Sequence, residues 1–153
     1  MKEISLAQAL KVKNRIVGEI TRLWALVNSE NSCWETHTRS IDVKATVENI
    51  EFLTQKLIEL KTKIGKANEG NLENMYALEE CKSQISRFGS LNIVEDVRYH
   101  GLNDRIKEVR SAEITAKEVL EKIKRLQRQC ERLQDELDVY NATHKIEFDS
   151  PLE

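Results

Sequence analysis

From Leu6 the apolar residues return at alternating steps of three and four: Leu6, Ala9, Leu10, Ile16, Val17, Ile20, Leu23, Trp24 and Val27, with Lys13 the one interruption. That period gathers them on one side of an α-helix. Ser5 with Gln8 three residues on is a capping-box pair, in which a hydroxyl and a side-chain amide each satisfy a backbone group that the first turn leaves orphaned. A first helix is therefore predicted over 5–28. A second, over 43–68, opens at Asp42 and carries two rows that repeat every seven residues, Val43, Ile50, Leu57 and Ile64 in one and Leu53, Leu60 and Ala67 in the other. Such a repeat keeps a stripe facing a partner helix under slight supercoiling. Lys61, Lys63 and Lys66 suit the negative end of the helix dipole, and Gly70 can close the element.

Asn71 or Asn74 can cap a third helix, with Leu72, Met75, Leu78, Cys81, Ile85 and Phe88 on one side. The span 89–92 holds Gly89 but no proline or second strong breaker, so this helix is predicted to run on through Leu91 and Val94 to residue 95. Thr115 and Glu118 form another capping box and open a fourth helix over 115–141. Ile123, Cys130 and Leu137 share one heptad position there, and Val119, Leu126, Leu133 and Tyr140 the other.

Outside these segments the period fails. Residues 29–41 collect Asn, Ser and Thr and read as a loop, long for a bundle and therefore a candidate for function. Its Trp34 either anchors a partner or folds back to cap the bundle end. A strand near 105–110 and the alternating segment 144–148 can pair across one end of the bundle. The expected fold is thus all-α: an antiparallel helical bundle with coiled-coil character, four main helices and one short two-stranded β element. It forms a single domain over 1–149, followed by a disordered tail, 150–153.

Composition fits long helices with narrow apolar stripes: aromatics are 5% of the chain and charged residues 33%. A formal net charge of -2 supplies no global field toward nucleic acid or an anionic membrane. The three cysteines, Cys33, Cys81 and Cys130, form no CxxC motif and cannot all pair within one chain. With no apolar signal segment after Met1-Lys2-Glu3-Ile4-Ser5, reduced thiols and a cytoplasmic location are expected. No stretch approaches the roughly 18–20 apolar residues of a membrane helix.

Candidate chemistry is sparse. Cys33 and His37 are four residues apart, but they fall in the loop without a second ligand pair nearby, so no metal is expected. Cys130 on the seam reads as core. Carboxylates lie on polar helix faces, a Glu-x-x-His di-metal motif is absent, and no phosphate-binding glycine pattern occurs. The expectation is a chain without catalytic residues or cofactors. Lys122, Lys124, Arg125, Arg128 and Arg132 make the fourth helix basic in its middle, but they spread around it and are interrupted by Glu121 and Glu131.

Several segments together resemble the septicolysin-like family of short, uncharacterised bacterial helical proteins. Leu6-Ala7-Gln8-Ala9-Leu10 is similar to that family's Leu-Ala-Glu-Ala-Leu opening, and Ile64-Gly65-Lys66-Ala67-Asn68 matches part of its Ile-Asn-x-Thr-Asn pattern. Arg105-Ile106-Lys107-Glu108-Val109 resembles the family's basic-aliphatic strand, and Asn141-Ala142-Thr143 its Asn-Trp-Thr motif. The resemblance implies a helical coiled-coil fold without an established activity.

The function expected is a non-enzymatic structural or interaction module that self-associates, most simply as a homodimer, or docks a protein partner. Heptad seams carry it, with Ile50, Leu57, Ile64, Ile123, Leu126 and Leu133 as core. The first helix has an apolar arc wider than one neighbour needs, so Leu10, Val17 and Trp24, together with Trp34, are the candidate interface. Two alternatives stand beside it: a nucleic-acid-associated protein using the basic stretch of the last helix, and a membrane-active, toxin-like protein.

Overall fold

The structure, a computed structural model, describes residues 2–152. The protein is 68% helical, with four α-helices and two small antiparallel two-stranded sheets. In chain order the elements are β1 (Glu3–Ser5), α1 (Leu6–Glu30), α2 (Val43–Ala67), α3 (Leu72–Gly89), β2 (Asp96–His100), β3 (Ile106–Arg110), α4 (Ala116–Thr143) and β4 (Lys145–Glu147). Where one domain over 1–149 is expected, the chain divides into two compact units. The first contains residues 1–72 and 138–153, the second residues 73–137.

In the first unit, α1 and α2 pack as an antiparallel pair. Lys63, near the end of α2, donates a hydrogen bond to the Glu147 carbonyl at 2.7 Å, and β4 in turn pairs with β1, which leads into α1. The start of α1 therefore lies beside the end of α2. Leu6, Ala9, Ile16, Leu23 and Val27 are buried with Ile50, Leu53, Leu60 and Ile64, as both periodic stripes foretold. Ile20 and Leu57 flank this core and are only partly buried. The Ser5–Gln8 capping box is formed, and the Asp42 carboxylate caps α2 by accepting from the Ala45 amide at 3.0 Å.

The chain ends close this unit. Ile4 pairs with Ile146, and the amides of Leu6 and Phe148 donate to the carbonyls of His144 and Lys2, each at 2.9 Å. Phe148 is 1% exposed, and Leu152 packs against the same core. The expected tail thus belongs to the fold as far as residue 152: Phe148 and Leu152 supply apolar area that rewards ordering it. Glu153 lies outside the described residues. The Tyr140 hydroxyl donates to the Ala67 carbonyl at 2.7 Å, satisfying an acceptor at the C-terminal end of α2.

In the second unit, Asn74 reaches Glu136 at 3.1 Å and Cys81 reaches the Leu126 carbonyl at 3.2 Å, so numbers rise along α3 as they fall along α4. These two helices are also antiparallel. Leu78, Cys81, Val119, Leu126, Leu133 and Leu137 are buried, while Ile123 and Cys130 are half-buried. Helix α3 ends at Gly89, not residue 95. The Ser90 hydroxyl donates to the carbonyls of Ser86 and Arg87, at 3.1 and 3.2 Å, and this local bonding closes the last turn at the residue of weakest helix propensity.

The strand segments do not pair with each other. β3 pairs with β2 in a local hairpin, and β4 pairs with β1. A hairpin closed by a short loop loses less chain entropy than a distant pairing, so residues 96–100, for which no strand is expected above, became the partner of β3. The result is two small sheets in place of one.

Candidate interaction surfaces

Helix α1 buries one face and leaves part of its apolar arc open. Leu10 is half-buried against the core, but Val17 is 41% and Trp24 51% exposed. Leu10, Val17 and Trp24 are spaced by seven residues, and such spacing sets them along one line of the helix beside the buried stripe. Trp34, in the loop that follows, is 86% exposed and does not fold back over the helix end.

What holds that loop is polar. The Glu30 carboxylate accepts from the Ser40 amide at 3.1 Å and lies 3.1 Å from His37 Nε2, while the Arg39 guanidinium donates to the carbonyls of Glu30 and Asn31 at 2.9 and 3.1 Å. Arg39 thereby satisfies carbonyls that the C-terminus of α1 leaves without helical partners, and its charge suits the dipole there. The hydrogen bond with His37, then that from the Ser40 amide, holds the Glu30 carboxyl below its ordinary range. Sequence reading missed this clamp, whose only signal was an acid at the helix end and an arginine nine residues later. His37 is committed to Glu30, and no group of three or more His, Cys, Asp or Glu converges among the described residues.

The β2–β3 hairpin is exposed at every residue of both strands. Its register sets Val97 opposite Val109 and Tyr99 opposite Lys107 on one face. The other face carries Asp96 opposite Arg110, Arg98 opposite Glu108, and His100 opposite Ile106. One face is therefore largely apolar and the other is a charge ladder, because successive side chains alternate across a strand. Arg98 forms an ion pair with Glu108, and His100 Nε2 lies 3.3 Å from the same carboxylate. Arg110 forms no ion pair among the described residues. The connecting loop needs backbone conformations with positive φ at Gly101 (83°), Asn103 (56°) and Asp104 (49°), residue types that tolerate them best.

The basic middle of α4 is not a clean stripe. Lys122 stands over the Phe88 ring at 5.8 Å, Arg132 lies 3.9 Å from Glu136, and Arg125 borders a shallow groove with Arg87, Phe88 and Leu126. Lys124 and Arg128 point to solvent. Cys81 is buried and its thiol is pushed up to about 11, by burial first and by the neighbouring Cys130 second. Burial keeps it a thiol and a poor nucleophile.

No helix among the described residues is long and apolar enough to cross a membrane. Compared with family models, with characterised proteins and with solved structures, the chain matches none.

Proposed function

We propose that this protein is a non-enzymatic interaction module, a helical bundle of coiled-coil character that self-associates or docks a protein partner through apolar surface left open on its helices. One observation carries this reading: Val17 and Trp24 are exposed in line with Leu10 on a helix that buries Leu6, Ala9, Ile16, Leu23 and Val27. Large aromatic side chains open to water cost free energy that contact with another apolar surface recovers, and Trp is a frequent anchor in protein interfaces. A two-fold homodimer is the commonest way to cover such a row. The septicolysin-like resemblance agrees with a helical coiled-coil module and adds no activity.

The test is a Trp24→Glu variant beside the wild-type protein in sedimentation equilibrium, or in binding to whichever partner copurifies. The reading predicts weaker association at unchanged helicity. Equal association in the two proteins removes Trp24 from the interface.

A further inference from the structure

The geometry points to the free edge of β3 as the place where a second copy of this chain adds its own β3, extending the hairpin into a four-stranded antiparallel sheet. This rests on the self-association proposed above and adds a surface for it besides the α1 row. A two-stranded hairpin is at best marginally stable alone in water, and three or more strands with an apolar face are needed for independence. Here all ten strand residues are exposed, so little of the chain's own core supports them. Unpaired N–H and C=O groups along an edge are a template for another strand.

Strand charge selects the partner and the register. When β3 meets its own copy about a two-fold axis normal to the sheet, the strands run antiparallel and one residue lies opposite itself. Centring the axis on Glu108 sets two carboxylates together, and centring it on Lys107 sets two ammonium groups together. Centring it on Val109 sets Val109 against Val109 and Glu108 against Arg110 of the second copy, twice. Opposite charges facing across strands stabilise the pairing and like charges oppose it.

The hairpin's own register then extends both rows across all four strands. Val97 lies opposite Val109 within the chain, so the apolar face gains an unbroken row of four valines. On the other face Arg98, Glu108, then Arg110 and Asp96 of the second copy alternate in sign from edge to edge. The cation that completes this ladder is Arg110, which has no ion-pair partner within the described chain. The β2 edge offers a similar operation about Val97, setting Asp96 against Arg98 of the second copy, but Arg98 is already paired with Glu108 within its own chain, and Val97 is 45% exposed against 66% for Val109.

The experiment compares Val109→Cys with Val97→Cys in the full chain, each oxidised with diamide, with the linked peptides identified by mass spectrometry so that Cys33, Cys81 and Cys130 are told apart. Mass in solution is measured alongside, together with an Arg110→Glu variant. The expected result is a covalent dimer joined through position 109 and not through position 97, and dimerisation weakened more than about tenfold by Arg110→Glu, where like charges replace both ion pairs. A wild-type dimer that does not cross-link through 109, or one that links through 97, overturns the β3 assignment and leaves self-association standing. A monomer throughout overturns both.

Discussion

Val97 stands directly opposite Val109 in the β2–β3 ladder, and both side chains are open to solvent. The pairing depends on the loop between the strands, where Gly101 adopts a φ of 83° and a β-carbon would come within 3.1 Å of the Ile106 side chain. Gly101→Ala is expected to cost the hairpin about 1–3 kcal/mol, because a φ of 83° with a ψ of -171° is a conformation essentially reserved for glycine. Amide exchange at residues 97–109 should quicken while that of α1 and α2 stays the same. Unchanged exchange in the hairpin would mean that the loop conformation does not limit its stability.

Burial ranks the seam positions. Leu60 is fully buried and Leu57 only partly so. Leu60→Ala should therefore cost about 2–5 kcal/mol in chemical denaturation, and Leu57→Ala distinctly less, because the smaller side chain leaves a full cavity only at the enclosed site. Equal costs would contradict the packing of α1 on α2.

Glu30 is the acid on which the α1–α2 loop depends. Its folded-state pKa lies below the ordinary value of 4.5, so the stabilisation is present above that value and is lost as pH falls through the lower folded-state value. Glu19 and Glu59, lowered by Arg22 and by Lys63 respectively, act in the same direction. Stability followed by denaturation is expected to be insensitive to these three groups between pH 7 and 5 and to fall below pH 4.5. Glu30→Gln should flatten part of that fall. The individual effects are small, because these are surface pairs.

The thiols should separate by accessibility. Cys33 and Cys130 are partly exposed, whereas Cys81 is buried with its thiol pushed up to about 11. Iodoacetamide at pH 8 is expected to label Cys33 well before Cys81, with Cys81 reacting only on unfolding. Rapid labelling of Cys81 in the native protein would show that α3 and α4 part readily.

Helices were legible because capping and periodicity act locally. Ser5 with Gln8 and Thr115 with Glu118 announce helix starts by side chains within one turn, and the rows through Ile50 and Leu126 mark the buried faces. Legibility failed where a partner lies far along the chain. Glu3-Ile4-Ser5 is too short for a strand signal and becomes β1 only because Lys145-Ile146-Glu147 returns to it. Asp96-Val97-Arg98-Tyr99-His100 does alternate polar and apolar residues, but five exposed positions are a weak strand signal until β3 pairs with them. Gly89 ended a helix that its composition could have continued. Of the candidate surface, Val17, Trp24 and Trp34 were readable as surplus apolar residues, but the hairpin's ordering into a valine row and a charge ladder needed the register.

The most direct test of the account is the mass of the wild-type protein in solution, measured by light scattering across the micromolar range. The chain weighs 17.7 kDa. Self-association predicts about twice that mass, falling toward the monomer on dilution as the equilibrium follows mass action. A constant mass equal to one chain at every concentration would contradict the central claim.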